Sequence, residues 1–212
     1  MRHSICAEGF GVRLRPVTMQ DAAFIVWLRN LEHVKGKIGD SAADVASQQA
    51  WLEEYFERAG DYYFIIETAG GIAVGTHSLY DVSDGRAELG RWVIQPGVQA
   101  AVPSHMVAFD IAFNRLGLRA LRNATVSTNL PVISISRRFG FEAIGLERGA
   151  RQIGGKSVDM MCFVLTAEKW AVTRPALVAK AQVAERLVLE WEKDRRQDGP
   201  PTGTGNTAIL SL

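Results

Sequence analysis

Apolar positions along the chain alternate between a period of two and a helical period, and each change of period marks a predicted boundary. Residues 11–15 alternate like a half-buried strand, and residues 22–30 and 43–58 then carry apolar side chains at helical spacing. Two runs rich in β-branched and aromatic residues follow at 62–67 and 72–81, with a glycine pair between them. This arrangement predicts one strand, two helices and then a pair of antiparallel strands.

Residues 88–113 form the centre of the predicted fold, because a strand there leads almost directly into a helix. The strand covers 89–94, and Pro96 and Gly97 then turn the chain. Pro103 follows in the first helical turn, where proline is tolerated. The N–H groups at the start of a helix point the same way and lack partners within it. They form an anion site, and this one would suit a pyrophosphate.

The pattern after the central helix completes a mixed sheet. A strand at 120–127, a short helix that ends at Phe139 and a hairpin over 143–165 follow in order. Strands and helices mixed in this way predict an α/β (α+β) protein with helices on the faces of one sheet.

The C-terminal part of the chain has a different composition. Thr173 is expected to cap a helix with Pro175 in its first turn, and apolar residues then recur in 4-3-4-3 spacing. This helix packs either on its own domain or on a partner subunit. The last residues are rich in proline, glycine and threonine. We therefore expect a domain at 1–166, a helical appendage at 167–197 and a disordered tail at 198–212.

Composition and charge narrow the function classes. The 212 residues are 47% hydrophobic and carry a net charge of +1, which gives no electrostatic reason to expect nucleic acid or an anionic membrane. No apolar run approaches the ~20 residues that span a bilayer, and the first residues lack the apolar core of a signal peptide. We therefore expect a cytoplasmic protein. Cys6 and Cys162 form no disulfide framework, and no metal site is expected.

Three local signatures, in this order, resemble the GNAT acyl-CoA N-acyltransferases. They are ELGRWVIQP at 88–96 before the central helix, a strand that ends in Asn129, and RFGFE at 138–142 followed by Gly145. The resemblance covers about residues 12–165 and implies a mixed, mostly antiparallel central sheet with helices on both faces. It also implies an enzyme that uses acetyl-CoA as its co-substrate.

Two segments near the N-terminus narrow this resemblance. LRN at 28–30 and QAWL at 49–52 are similar to nucleotide-sugar N-acetyltransferases of the pseudaminic-acid type. This similarity implies acetyl transfer to a primary amine of a small molecule, such as a nucleotide-linked amino sugar. One alternative is a protein N-terminal acetyltransferase, because ribosomal-protein N-acetyltransferases share the Glu-Leu-Gly entry to the central strand. Another is a catalytically weak relative that serves as a binding or assembly module.

The phosphate loop departs from the family's pattern. Relatives have Gln/Arg-Gly-x-Gly-x-Gly/Ala, whose glycines let the backbone approach a ligand, whereas this chain has QAAVPS at 99–104. Alanine is small enough to permit approach, but Pro103 removes one donor. The resemblance implies that cofactor binding involves Trp92, Val93, Ile94, Gln99, Ala100, Ala101, Val102, Ser104, Asn129 and Arg137.

Three residues are candidates for proton transfer. Glu88 heads the central strand and would act as a base directly or through water, or else it is a solvated carboxylate. His77 is a second candidate, because a histidine ordinarily titrates near working pH, or it is a half-buried structural residue. Ser136 is nearest to the family's tyrosine acid, but a serine suits this role poorly, so water or another group would protonate the thiolate. The resemblance also implies that backbone N–H groups of Val93 or Ile94 hold the acyl carbonyl.

Four residues are expected on the acceptor side. Arg29 and Asn30 would line the pocket, where an arginine can pair with a phosphate, or they are an exposed helix end. Trp51 would stack on a base or sugar, or it belongs to the core. Tyr80 is expected to face the same cleft. The sheet edge and the C-terminal helix are the two surfaces through which a homodimer could form.

Overall fold

The fold is given by a computed structural model that describes residues 2–34, 37–38 and 42–197. Strands and helices alternate along these residues. The strands are β1 (Ala7–Gly9), β2 (Val12–Pro16), β3 (Tyr62–Thr68), β4 (Ala73–Ser83), β5 (Arg86–Ile94), β6 (Ala120–Val126), β7 (Glu142–Ile153) and β8 (Lys156–Thr166). The α-helices are α1 (Ala22–Arg29), α2 (Val45–Phe56), α3 (Ala101–Asp110), α4 (Leu130–Arg138) and α5 (Ala167–Gln197).

All of these strands join one sheet in the order β1-β2-β3-β4-β5-β6-β8-β7. Neighbouring strands in the described part of the chain are antiparallel, except that β5 and β6 are parallel. α3 lies in the crossover between β5 and β6, because two parallel strands need a long connection. The mixed, mostly antiparallel sheet confirms the fold class that the sequence predicts.

Helices cover both faces of this sheet. α1 and α2 close one face around a cluster that includes Leu52 and Tyr63. α3 and α5 close the other face around a larger cluster that includes Phe109, Phe163 and Leu177. Each large apolar side chain that is fully buried in this way contributes about 1.5–3 kcal/mol to folding.

Side-chain hydrogen bonds fix the turn that precedes α1. The carboxylate of Asp21 accepts a hydrogen bond of 2.7 Å from the N–H of Thr18, and the two residues form a capping box. The same carboxylate accepts two hydrogen bonds, of 2.7 and 2.8 Å, from the guanidinium of Arg15. Asp21 therefore ties β2 to the beginning of α1.

The C-terminal helix begins earlier than predicted. α5 starts at Ala167, and Pro175 lies inside the helix rather than in its first turn. Thr166 sets the start, because its Oγ1 accepts a hydrogen bond of 3.2 Å from the N–H of Lys169. Thr173, the predicted cap, instead donates its hydroxyl to the carbonyl of Lys169 at 2.9 Å. The prediction was wrong because proline favours a first turn but does not require one.

α5 packs against the sheet along one of its faces. Leu177 and Ala181 are buried in the same cluster as the sheet residues. Near the end of the helix, Glu192 accepts a hydrogen bond of 3.1 Å from the N–H of Gly70, in the turn between β3 and β4. The division of the chain into a domain and a helical appendage stays a prediction.

Two short elements were not predicted. β1 pairs with β2, but its three residues are too few to show a pattern. Residues 111–115 form a π-helical turn after α3, and Gly117 follows with a φ of 63°, the left-handed conformation in which many helices end. The predicted disordered tail at 198–212 lies outside the described residues. Among the helices of the described chain, none is long and apolar enough to cross a membrane.

Candidate active site

The candidate cleft opens where two neighbouring strands of the sheet part. β5 and β6 are paired only between residues 86–88 and 120–122. Beyond these pairs a cavity of about 290 Å³ lies between the strands, lined by residues 89–92 of β5, 123–126 of β6 and part of α4. The edge of β5 that faces β6 therefore has no strand partner here among the described residues. Its backbone groups are available to a ligand.

β5 carries a β-bulge beside this cleft. Thr76 of β4 pairs with Val93 of β5. Ser78 then pairs with Gly90, so two residues of β5 oppose one residue of β4. Two hydroxyls hold the bulge, because Thr76 donates to the carbonyl of Arg91 at 2.7 Å and Ser78 donates to that of Gly90 at 3.0 Å. Arg91 itself has a φ of 47°, which is uncommon for a residue other than glycine.

The side chain of Arg91 is held firmly in the cleft wall. Its guanidinium donates hydrogen bonds of 2.6 and 2.9 Å to the buried carboxylate of Asp61. Burial alone would lower the pKa of Arg91, but the ion pair with Asp61 outweighs burial and raises the pKa. The guanidinium carbon also lies 4.6 Å from the ring centre of Tyr80, 5.2 Å from Trp51 and 5.5 Å from Tyr63. Arg91 is therefore a fixed positive charge.

The start of α3 presents uncapped backbone donors. Ala100 precedes the helix and provides no side-chain hydrogen bond to cap it. The N–H groups of Ala101 and Val102 have no acceptor within the described residues, and Pro103 has no N–H. The N–H of Ser104 donates to the carbonyl of Ala100 at 2.9 Å. Pro103 thus lies in the first turn, as predicted, and two N–H groups remain for an anion.

A hydrogen-bonded group of side chains ties the cleft to α3. The indole N–H of Trp92 donates to Oγ of Ser104 at 3.3 Å, and that hydroxyl donates to the carbonyl of Ala101 at 3.2 Å. Nδ1 of His105 lies 3.1 Å from the same carbonyl, which places the ring proton on Nδ1. Burial lowers the pKa of His105 to about 4, so the ring is neutral at pH 7.

Glu88 belongs to the last pair between β5 and β6, at the point where the strands part, and its side chain is not among those that line the cleft. Its side chain is 29% exposed, and its Oε1 lies 3.6 Å from Nε of Arg122. Partial burial raises the pKa of Glu88 against the opposing effect of Arg122, and the nearby carboxylates of Asp81 and Glu147 raise it further. A carboxylate with a raised pKa exchanges protons closer to working pH than an ordinary one.

His77 lies in the core rather than in the cleft. Its side chain is fully buried, with its ring centre 5.1 Å from that of His105. Neither ring nitrogen makes a hydrogen bond of normal geometry to the described residues. Burial, together with the neighbouring His105, lowers the pKa of His77 well below its ordinary value. The predicted role as a base does not suit this position, because a substrate cannot reach the ring. The structural alternative fits better, although the residue is fully rather than half-buried.

The structure brings two of three predicted residues of the α4 region to the cleft. Ser136 is buried and lies in the cleft wall. Asn129 also lines the wall, and its Nδ2 donates to Oγ1 of Thr125 at 3.4 Å. Arg137 lies in the last turn of α4, where it is exposed and outside the cleft lining.

Three further cofactor candidates have side chains that do not line the cleft. The side chain of Val93 packs against Leu28 and Val34 on the α1 side of the sheet. Ile94 packs against the main core, and Gln99 is exposed in the turn before α3. A role for these residues therefore depends on their backbone groups.

Three of the four predicted acceptor residues line cavities. Tyr80 lines the cleft, Trp51 lines a neighbouring pocket, and Arg29 lines both. Burial lowers the pKa of Arg29. Asn30 lines neither cavity, because its Nδ2 donates to a carbonyl of α1 at 2.9 Å and closes the end of that helix.

Arg91 and His105 were missed at the level of sequence. Arg91 interrupts an apolar strand, and this break in the pattern was a usable signal. Its partner Asp61 lies 30 residues away in sequence, so no local pattern joins the pair. His105 shares a helix face with Phe109, which indicates burial but not a place in the cleft wall.

Comparison with known proteins assigns the chain to a family. Residues 12–142, more than half of the chain, match the model of the acetyltransferase (GNAT) domain. No curated protein sequence matches the chain.

Several solved structures share the fold. A GCN5-related N-acetyltransferase from Brucella melitensis has a TM-score of 0.73 at 22% identity, over 84% of this chain and 86% of its own. FdhC, a nucleotide-linked sugar GNAT, has a TM-score of 0.69 at 23% identity, over 85% and 98%. Spermidine N-acetyltransferase from Vibrio cholerae, solved with CoA and spermine, has a TM-score of 0.70 at 18% identity, over 77% and 99%. The family match and the shared fold agree, and this chain belongs to the GNAT acetyltransferases, enzymes that take their acetyl group from acetyl-CoA.

Proposed function

We propose that this protein transfers the acetyl group of acetyl-CoA to a primary amine of a nucleotide-linked amino sugar, by direct attack in a ternary complex. The observation that carries the proposal is the cleft between β5 and β6, whose wall contains Arg29 and Arg91 and is hydrogen-bonded to the first turn of α3. A thioester along β5 and an anionic acceptor beside the arginines would bring the amine to the acyl carbon.

The residues present fit acetyl-CoA, with one donor fewer than the family's usual loop provides. Ala101 and Val102 would donate their backbone N–H groups to the diphosphate, and the methyl group of Ala100 leaves room for close approach. The unpaired edge of β5 at Val93 or Ile94 would hydrogen-bond the acyl carbonyl and polarise it. Acetyl-CoA supplies the activated acyl group when it is bound.

Glu88 is the proposed general base. An alkyl ammonium group must lose a proton before its nitrogen can attack a carbonyl carbon, and Glu88 would accept this proton directly or through a water molecule. The raised pKa of Glu88 suits this role, because it brings proton affinity closer to working pH. Arg122, 3.6 Å away, favours the ionised form that can accept a proton.

The leaving thiolate must be protonated at the end of the reaction. Ser136 and Asn129 line the cleft near the unpaired edge of β6. A serine hydroxyl is a poor acid, so we assign these two residues to hold a water molecule that delivers the proton.

The charge of the cleft favours an anionic acceptor. Arg29 and Arg91 both lie in the wall, and Asp61 keeps Arg91 in place. Cationic groups attract a phosphate and repel a polyamine, which is itself a cation. Solved structures of this fold include both a sugar enzyme and a spermidine enzyme, so the fold alone does not choose between them.

A weak relative that only binds its ligands is the second candidate function, favoured by the loop without glycines at 99–104. The release of the free CoA thiol, detected with a chromogenic disulfide reagent, measures acetyl transfer. The assay is run separately with UDP-, GDP- and dTDP-linked amino sugars, with ribosomal-protein N-terminal peptides and with spermidine. Turnover with a nucleotide-linked sugar supports the proposal. Turnover with only a peptide or only a polyamine would show that the acceptor is not a nucleotide-linked sugar. Binding of acetyl-CoA in calorimetry without turnover of any acceptor would support the binding module.

We also propose that the chain forms a homodimer through α5 and works in the cytoplasm. One face of α5 is apolar and exposed, and its apolar residues recur at helical spacing. β7, at the edge of the sheet, is the competing surface, but it carries several charged residues that oppose edge pairing. The exposed apolar residues that recur at helical spacing along this face are Val172, Ala176, Ala179, Val183 and Leu187.

A further inference from the structure

A second pocket lies next to the cleft, beside α2. Its volume is about 480 Å³, which is within the range of small-molecule sites in proteins. Arg29 and Arg91 line both the pocket and the cleft, so a ligand that occupies both would pass these two side chains.

The pocket lining is rich in arginine. Arg29, Arg58 and Arg91 contribute three guanidinium groups. Arg91 is paired with Asp61, and Nη2 of Arg58 lies 3.5 Å from Oε2 of Glu54. The guanidinium carbons of Arg58 and Arg91 each lie 5.2 Å from the ring centre of Trp51, so both groups contact this aromatic side chain. A guanidinium group can donate paired hydrogen bonds to phosphate oxygens, so a pocket lined by several of them suits a diphosphate.

A buried amide lies in the same pocket. Gln48 of α2 is only 5% exposed and lines the pocket. An amide carries both donors and an acceptor, which is the combination that reads the edge of a nucleobase or a ribose hydroxyl.

We propose that this second pocket, formed around Gln48, Arg58 and Arg91, binds the nucleoside diphosphate part of the acceptor. The diphosphate lies against the arginines, and the nucleoside reaches Gln48. The amino sugar then extends past Arg29 and Arg91 into the cleft. This inference rests on the proposed function, because it locates one half of the proposed acceptor.

Isothermal titration calorimetry with free nucleotides tests the proposal on the intact chain. UDP, dTDP and GDP are titrated separately, and inorganic pyrophosphate serves as the probe for charge alone. At least one nucleoside diphosphate is expected to bind at least tenfold more tightly than pyrophosphate, because Gln48 recognises the nucleoside. Equal binding of all four probes would overturn the assignment of a nucleoside.

Two variants locate the binding site. Gln48→Leu keeps the volume of the side chain and removes its hydrogen bonds, and Arg58→Gln removes one charge. Each is expected to weaken nucleotide binding about tenfold, because Gln48→Leu removes hydrogen bonds to the nucleoside and Arg58→Gln removes a charge-assisted hydrogen bond to the diphosphate. The matched control is Arg148→Gln, an exposed arginine of β7 outside the pocket. Unchanged nucleotide affinity in both pocket variants would overturn the proposal, and an unaltered melting temperature shows that a weakened variant is folded.

Binding of acetyl-CoA separates this inference from the proposed function. If acetyl-CoA binds and an amine is acetylated, but no nucleotide binds, the second pocket is wrongly assigned and the acetyltransferase stands. If acetyl-CoA does not bind, the proposed function itself fails, whatever the nucleotides do.

Discussion

At the scale of single residues, Arg91 carries the clearest sign of function. It has a left-handed backbone conformation, its charge is paired with buried Asp61, and its side chain lies in the wall of two cavities. A non-glycine residue in this conformation costs about 1–3 kcal/mol, which the ion pair and the bulge must offset. The strain places a cation where an acceptor would pass, and this agrees with an anionic acceptor.

Substitution of Glu88 tests the proposed base. Glu88→Gln is expected to lower kcat about 100-fold, because general base catalysis typically contributes at least this much. In the wild-type protein, kcat/KM should fall as pH decreases through the raised pKa of Glu88, where the base becomes protonated. That limb of the pH profile should vanish in the variant.

The matched control for this substitution is Glu8→Gln, an exposed carboxylate of β1. Calorimetry should show that Glu88→Gln still binds acetyl-CoA. An unchanged kcat, or a pH profile that keeps its acidic limb, would remove Glu88 from the mechanism.

Substitution of His77 tests the buried pair of histidines. The folded protein holds His77 neutral, whereas the unfolded chain takes up a proton below its ordinary pKa of 6.5. Stability should therefore fall as pH decreases below 6.5, by about 1.4 kcal/mol per pH unit for this residue. His77→Leu should flatten this dependence and should not lower stability at pH 7.5, because it removes an unsatisfied buried group.

Urea unfolding between pH 5 and 7.5 measures this effect. His33→Gln, which replaces an exposed histidine, is the comparison variant. Equal slopes of unfolding free energy against pH in wild type and His77→Leu would contradict the account of the buried pair.

At the scale of elements, the first turn of α3 lacks one backbone donor, because Pro103 has no N–H. Pro103 lies where a third free N–H would otherwise point toward the anion site. The helix forms nevertheless, because a proline in the first turn interrupts no intrahelical bond. We therefore expect Pro103 to weaken the binding of acetyl-CoA without destabilising the fold.

Pro103→Ala is expected to tighten acetyl-CoA binding by roughly threefold to tenfold, because it restores one backbone donor to the diphosphate. Pro131→Ala makes the same change in the first turn of α4, outside the proposed diphosphate site, and should leave the dissociation constant unchanged. Titration calorimetry of both variants measures the difference. Weaker or unaltered binding by Pro103→Ala would show that the diphosphate lies elsewhere.

Sequence periodicity predicted most elements because burial on one face imposes a period of two or 3.6 residues. It failed for β1, which is too short for a period, and for the start of α5, where two threonines compete as caps. The site was less predictable. Three of its features depend on contacts between segments that are distant in sequence. They are the end of β5–β6 pairing at Glu88, the bulge at Arg91 and the burial of His77.

At the scale of the whole molecule, α5 has two apolar faces. Leu177 and Ala181 pack into the core, whereas Val183 and Leu187 are exposed on another face. An exposed apolar row on a helix that is already packed is typical of an interface. Packing of α5 on its own domain, one of the two predicted alternatives, therefore accounts for only one apolar face of this helix.

Light scattering after size-exclusion chromatography should show a dimer. Val183→Glu combined with Leu187→Glu should convert it to a monomer, because two opposed carboxylates would be buried at the interface. Ile144→Glu combined with Leu146→Glu makes the same change on β7 and should leave the dimer intact. If only the Ile144→Glu, Leu146→Glu variant dissociates, the interface lies at the sheet edge instead of on α5. A monomeric wild-type protein would contradict the proposed dimer.

The central claim is that the parted strands β5 and β6 and the start of α3 together hold acetyl-CoA. A crystal structure of the protein with acetyl-CoA measures this directly. The account predicts diphosphate oxygens about 3 Å from the nitrogens of Ala101 and Val102, and the acetyl carbonyl against the unpaired edge of β5 at Val93 or Ile94. A coenzyme bound elsewhere, with the cleft between β5 and β6 empty, would contradict it.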